Sequence, residues 1–464
     1  QAENDEYTKE KSMTTIDNPS THTGNPYIDP YLNVPVNDPY IIVSADSHAG
    51  LPTADYREYL EKKFHPQFDE FLAEREKALE VSTMLGTRNE DYAKKWFEEH
   101  EEALRSGWEA TRRDQELDGD GVAGEIIFPD ADAVESRTCV PFGAGLGMSG
   151  DMDPELGLAG SIAHNRWLAE LCSQSPERRR GMALVPITAD LPRVLAEIRR
   201  AKESGLGGVM IPAMWVNQLP YHDRHYDPVW ALCEELNMPI STHSGPASRD
   251  EYDNHLGIYV TEVVWWPARP LWFMLWSGVF ERFPGLRFGV TEAGCWWLPP
   301  QIWFWDRLAL GQKGTEKLGG DPFKGAIKML PSEYIDRNVF IGASNTKRRE
   351  LGMRYEIGVG NIMWGNDFPH PEGTWPNTRA WLKKTFHDIP IDETRRMVGL
   401  SAAELFSFDL AKLKAHADRM APRPSDFGQV TDADPTAQRL TDRWAPVKEV
   451  GRHWLTDHDF SLIP

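Results

Sequence analysis

Ile362-Met363-Trp364-Gly365-Asn366-Asp367-Phe368-Pro369-His370-Pro371 is the stretch that decides how this chain is read. A short apolar run stops at a carboxylate, turns through proline and offers an imidazole three residues on. In a (β/α)8 barrel such a strand tip is where chemistry is assembled. Three other apolar runs end in the same way. Tyr40–Ala45 leads into Asp46-Ser47-His48, Pro239–Thr242 into His243-Ser244-Gly245, and Leu286–Thr291 into Glu292-Ala293-Gly294.

Outward from these tips, strand and helix patterns alternate. Strands are predicted at Ile41–Ala45, Gly124–Phe128, Gly181–Val185, Gly208–Ile211, Ile240–His243, Arg287–Glu292, Val339–Gly342 and Asn361–Gly365. Most are continuous apolar runs, as a parallel sheet buried on both faces requires. Helical spacing recurs at Ser161–Gln174, Asp190–Glu203, Asp227–Leu236 and Pro299–Leu310, and Pro270–Phe280 reads as a buried helix packed on the barrel. Eight strands with helices between them predict a closed α/β TIM barrel over residues 39–413. A typical barrel needs ~250 residues. The excess lies mainly in 50–123, a charged segment with helices predicted at Lys62–Ala78 and Glu90–Glu109, and it is expected to form a lid over the strand tips. Residues 1–38 read as an extended arm, and 414–464 as a Pro- and Asp-rich tail reaching Trp454 and Phe460 that contacts its own or a neighbouring subunit.

Composition narrows the function classes. The chain has 464 residues, 41% hydrophobic and 26% charged, with net charge −21. No Lys/Arg cluster offers the basic face that phosphate backbones need, so a nucleic-acid partner is excluded. No apolar run reaches the ~18 residues of a membrane span, and Gln1–Asn18 is polar, unlike a signal peptide. Cys139, Cys172, Cys233 and Cys295 form no C-x-x-C pair, which argues against a zinc knuckle or disulfide framework and fits a reducing cytoplasm.

A divalent cation needs three to six donors at ~2.0–2.3 Å, and rigid strand ends hold donors well. Asp46, His48, His243 and Asp367 are therefore the predicted metal ligands, with Glu292 and His370 as further donors. Other features are weaker. Asp118-Gly119-Asp120-Gly121 lacks the positions of a calcium loop. Cys295 reads as a packed thiol, Trp265, Trp266, Trp296, Trp297, Trp303 and Trp305 mainly as helix packing, and Arg269 and His255 as surface groups or partners of a substrate carboxylate.

The chain resembles the amidohydrolase superfamily, in the amidohydrolase-related branch that includes aminocarboxymuconate-semialdehyde decarboxylase and the resorcylate- and vanillate-type decarboxylases. The resemblance rests on Ser44–His48, Asp120-Gly121-Val122, Arg180–Pro186, Tyr226–Trp230, Thr242–Gly245, Phe280–Pro284, Glu292–Pro299 and Trp364–Gly373, in this order. It implies that Asp46 and His48 occupy the first-strand ligand pair, His243 the fifth-strand ligand and Asp367 the eighth-strand ligand. Two departures matter: Asp46 stands where the family often has His, and Glu292 stands where the sixth strand often carries a catalytic His. Met210-Ile211-Pro212 offers no bridging lysine on strand four.

The expected function is metal-dependent hydrolysis or decarboxylation of a small carboxylated or amide-like substrate. Glu292, Asp367 and His243 are its catalytic candidates, and zinc, manganese or iron would be bound at one or two ions per chain. Two other readings stand beside it. One is a dinuclear iron or manganese oxygenase hydroxylating a small amino-acid-like substrate. The other is a metal-containing partner subunit of a hetero-oligomer. A homo- or hetero-oligomer is expected in either case.

Overall fold

The computed structural model describes residues 37–84, 90–131, 138–146, 152–214, 218–245, 255–311 and 325–427. Eight parallel strands follow one another in chain order: β1 Val43–His48, β2 Gly124–Phe128, β3 Arg179–Leu184, β4 Gly208–Met210, β5 Ile240–His243, β6 Phe288–Thr291, β7 Val339–Ser344 and β8 Ile362–Gly365. Each lies within a few residues of its predicted place. At its far edge the sheet returns on itself, through a bridge between Ser47 and Phe368 and the bonds Asp367 N to Asp46 O (2.8 Å) and His48 N to Phe368 O (2.6 Å). The chain forms the predicted TIM barrel.

Alternation along the strands divides the core in two. Ile42, Ile127, Ala183, Ile341 and Trp364 face the surrounding helices. Val43, Ala45, Ile126, Phe128, Met182, Leu184, Phe340 and Met363 fill the barrel interior, where Phe406, Phe408 and Leu413 join them. Short side-chain caps start the helices. Asp153 accepts from the backbone N–H groups of Glu155 and Leu156 ahead of Pro154–Ser173, and Asp190 accepts from Arg193 N ahead of Leu191–Glu203. The helix predicted at Pro270–Phe280 runs over Trp265–Trp276, with Pro267, Ala268, Leu271 and Met274 buried.

Among the described residues between β1 and β2, the insertion forms three α-helices: α1 His65–Met84, α2 Glu90–Leu104 and α3 Ala110–Asp120. The second ends earlier than its charge pattern predicts, and the chain restarts as α3 after a short turn at Arg105–Gly107. The boundary expected after Leu413 falls inside the helix Leu410–Met420, whose Leu413 and Ala417 are buried. Nearly all of the 1–38 arm, and the tail from residue 428 with Trp454 and Phe460, lie outside the described residues. Among the described residues, no helix is long and apolar enough to cross a membrane.

Candidate metal centre

Strict alternation would not deliver the predicted ligands. In β1, Ile41, Val43 and Ala45 belong to the interior, so Asp46 and His48 would face outward if the strand stayed regular. The β1–β2 register shifts between Ser44 and Ser47, and this irregularity turns Asp46 and His48 into the barrel mouth. Glu292 would likewise follow Phe288 and Val290 toward the helices, but its φ of 57° lies in the left-handed region and swings its side chain to the mouth. Asp367 takes φ 58°. Such conformations are uncommon for non-glycine residues and cluster where function fixes geometry.

The predicted residues converge. His243 Nε2 lies 3.1 Å from Asp46 Oδ1, and His48 Nε2 lies 3.5 Å from Asp46 Oδ1 and 3.2 Å from Asp367 Oδ1. His370 Nδ1 lies 3.1 Å from Asp367 Oδ1, and His243 Nδ1 3.3 Å from Glu292 Oε2. Asp46, His48, His243, Asp367 and His370 are all buried. The rings of His48 and His370 stack at 3.8 Å between centroids, and Phe128 forms the floor under His48 and His243. Gly365 sits behind Asp46, where a Cβ would come within 2.5 Å of the Asp46 Cβ, so only glycine lets β8 approach this closely.

Three imidazoles spend one nitrogen on a backbone carbonyl. His48 Nδ1 bonds Pro129 O (2.7 Å), His243 Nδ1 bonds Ser244 O (2.5 Å) and His370 Nε2 bonds Asp130 O (2.8 Å). The second nitrogen of each ring turns to a carboxylate: His243 Nε2 meets Asp46 Oδ1 at 3.1 Å, and His48 Nε2 and His370 Nδ1 meet Asp367 Oδ1 at 3.2 and 3.1 Å, contacts that a shared proton or a shared cation satisfies. His48 Nε2, His370 Nδ1 and both Asp367 carboxylate oxygens are buried without a hydrogen-bond partner. Buried polar groups are rarely left so. Donors 3.1–3.5 Å apart are spaced to share one divalent ion at ~2.0–2.2 Å. The residue set therefore fits a cation.

The electrostatics separate the two carboxylates. Burial, followed by the Asp367 and Asp46 charges, pushes the Glu292 carboxyl well above the usual range. Burial also opposes ionisation of Asp367, but the charges of His370 and His48 outweigh it and hold this carboxyl low. Burial lowers His48 and His370 alike; in His48 the neighbouring His370 adds to the effect, while in His370 the Asp367 charge reverses it and raises the imidazole.

The structure adds residues that the sequence reading passed over. Ser344 at the end of β7 donates its hydroxyl to Asp46 Oδ2. Asn366 Oδ1 accepts from Ser44 Oγ (2.8 Å) and Ser47 Oγ (3.1 Å), lacing β8 to β1. Glu372 lies within reach of Glu292, Asp367 and His370. Ser344 and Asn366 both stand at strand ends, the one signal by which they could have been found. The lesser candidates stay apart from this chemistry. Asp118 pairs with Arg178 (3.0 Å), and burial pushes the Cys295 thiol well up. Arg269 donates to Met214 O (3.2 Å) and lies over the Phe273 ring, while His255 is exposed. Trp265 packs edge-on against Trp296 and Trp297.

A barrel whose strand tips gather imidazoles and carboxylates defines a class of metal-dependent enzymes. The amidohydrolase family model matches residues 128–408, and the chain belongs to that family. A gamma-resorcylate decarboxylase from Rhodococcus jostii (strain RHA1) is 26% identical over 272 residues, covering 53% of this chain and 75% of the relative. Two solved structures share the fold. Dihydroxybenzoic acid decarboxylase from Polaromonas sp. JS666, with bound manganese and 2-nitroresorcinol, aligns with TM-score 0.54 and 20% identity over 79% of this chain and 96% of its own. 5-Carboxyvanillate decarboxylase from Novosphingobium aromaticivorans DSM 12444, with manganese and 4-hydroxy-3-methoxy-5-nitrobenzoic acid, aligns with TM-score 0.55 and 17% identity over 79% and 96%. None of these three is an oxygenase or a non-catalytic subunit, so neither alternative expectation finds support among them.

Proposed function

We propose that this chain is a metal-dependent decarboxylase of a small aromatic carboxylate. The observation that carries the reading is the placement of Glu292: its left-handed φ of 57° turns the carboxyl to the barrel mouth, 3.3 Å from His243 Nδ1, where burial and the Asp367 and Asp46 charges push it up and favour its proton-carrying form. The substrate classes of the relatives support it. Asp46, His48, His243 and Asp367 would hold the cation, with His370 against Asp367. Manganese, present in the solved relatives, suits such oxygen and nitrogen donors, as do zinc and iron. When bound, the cation supplies positive charge for the substrate carboxylate and its neighbouring oxygen.

The chain's own groups supply the proton. As the bond from ring to carboxylate breaks, its electron pair stays on the ring carbon, and carbon dioxide leaves. Glu292 gives its proton to that carbon, forming the C–H bond, and is reprotonated from water. Asp367, held ionised, acts as ligand rather than donor. His243 Nδ1, bonded to Ser244 O, lies 3.3 Å from Glu292 Oε2, close enough to share its N–H with the carboxylate that Glu292 becomes.

The insertion is read as a lid. Trp96 and His100 on α2 pack against Trp375, which contacts Phe368 beside Asp367. A cavity of about 260 Å³ between α2 and the β2 loop, lined by Phe97, Glu101, Glu102, Leu104, Arg105, Trp108, Ala131 and Thr138, is the place offered for selecting the substrate. The arm and tail are read as contacts of a homo- or hetero-oligomer. The free thiols suit a reducing cytoplasm.

Manganese-loaded protein given hydroxybenzoates in D2O should release carbon dioxide and place one deuterium on the vacated carbon. Glu292→Gln should keep the metal and lose ~10²–10⁴-fold in kcat. Amide hydrolysis without decarboxylation, or a fully active Glu292→Gln, overturns the reading. A two-ion centre is the second reading, favoured by Glu292, Asp367, His370 and Glu372, whose donor atoms all lie within 4.8 Å of one another. Two ions per chain by elemental mass spectrometry, with Glu292→Gln losing one, would put it first.

A further inference from the structure

The two stacked ligand imidazoles are aimed by consecutive carbonyls of a single turn. Pro129 O takes the His48 Nδ1 hydrogen, and Asp130 O takes the His370 Nε2 hydrogen. In an extended strand, neighbouring carbonyls point to opposite sides. Here both serve rings 3.8 Å apart, and the torsion that permits this is the φ of Asp130, which stands at 62°. A non-glycine residue is seldom found there, so something must hold it.

Its own side chain does. Asp130 Oδ1 accepts from Val140 N (3.2 Å) and Oδ2 from Leu146 N (2.7 Å), tying the 138–146 segment to the tip of β2. The segment comes so close at Gly145 that a Cβ there would lie 2.0 Å from Asp130 Oδ2. Only glycine permits that approach, so carboxylate and loop are fitted to each other. Asp130 is absent from the clustered donors and touches the centre through backbone alone.

We propose that Asp130 is a positioning residue of the metal centre: its carboxylate locks the turn whose two carbonyls set the tautomer and orientation of His48 and His370. The proposal rests on the metal-centre reading above. Outer partners that orient ligand imidazoles are worth ~10–100-fold in metal affinity. Asp130 would exert that effect at one remove, through the main chain.

The test is manganese binding by chelator competition, with the Mn(II) paramagnetic resonance spectrum as a second readout, on Asp130→Ala, Asp130→Gly and Asp130→Asn. Asp130→Gly adopts positive φ without strain yet lacks the carboxylate, which separates loss of the lock from relief of strain. Asp130→Asn keeps an Oδ1 acceptor for Val140 and is the conservative rescue. The Ala and Gly variants should bind manganese ~10–100-fold more weakly with an altered spectrum, and Asn should lose less. If Ala fails to fold, Gly and Asn still decide. Folded Gly and Asn variants with wild-type affinity and spectrum overturn the proposal and leave Asp130 a loop anchor. A wild-type chain that binds no divalent ion overturns the metal reading itself, and this proposal with it.

Discussion

Asp120 offers the sharpest quantitative test of how this fold is held together. It closes α3 and is 4% exposed. One carboxylate oxygen accepts from Thr378 N at 3.0 Å, joining the insertion to the helix that follows β8. The other has no partner. Burial pushes the carboxyl up from 3.8 to about 7, against the bonds from Thr378 and the Arg379 charge. A raised carboxyl pKa means that the folded state keeps its proton where the unfolded chain has lost it. The stabilisation is therefore full below about pH 4 and is lost as pH rises through about 7. At ~1.36 kcal/mol per unit, a rise of about three units is worth about 4 kcal/mol. Asp120→Asn cannot ionise and keeps an oxygen for Thr378. Urea unfolding of both proteins from pH 4 to 8 should show the variant gaining on the wild type by up to about 4 kcal/mol across that window. Every other titrating group cancels in the difference. A difference that stays flat, or that runs in favour of the wild type as pH rises, refutes the assignment of Asp120 as a buried, protonated acid.

Two further predictions concern support of the centre. Ser344→Ala removes the hydroxyl that holds Asp46 Oδ2; Mn(II) titration should show binding weakened ~10-fold or more at near wild-type melting temperature, and unchanged affinity would remove Ser344 from the site. Glu125→Gln leaves Arg113 as an uncompensated charge in a pair whose members are both wholly buried, at 2.6 and 2.8 Å. Because Arg113 Nη1 also holds His48 O (2.9 Å) and Ser106 O (3.2 Å), thermal unfolding should register a loss of ~3–5 kcal/mol. A wild-type melting curve would show that the pair contributes little.

The barrel was legible because parallel strands buried on both faces must be largely apolar, so runs such as Ile126–Phe128 and Val339–Ile341 announce themselves, and each predicted strand has its observed counterpart. Helices broken by local turns were less so. Nothing in the charge pattern of 90–109 marks the stop at Leu104, since both sides of Arg105–Gly107 are equally polar. Supporting side chains were harder still. Ser344 and Asn366 act through hydrogen bonds that cross between β7, β8 and β1, and sequence spacing carries no record of which strand ends meet.

The proposed ligand set shows the limit most clearly. Asp46, His48 and Glu292 were named for standing at strand ends, yet period-two alternation from Val43, Ala45 and Val290 sends all three side chains away from the axis. What brings them inward is a register shift at Ser44–Ser47 and a left-handed residue at Glu292. Both are irregularities at the C-terminal rim, and Asp130, Asn345 and Asp367 share the same positive φ there. Regular strands build the rigid wall, and departures from regularity at its edge decide which side chains meet inside. Composition and periodicity report the wall; the rim is written in torsions that Asp, Asn and Glu adopt only when neighbours compel them. For Asp130 the compelling neighbours are Val140 and Leu146, which is why a residue that touches no ligand atom of the centre can still govern its geometry.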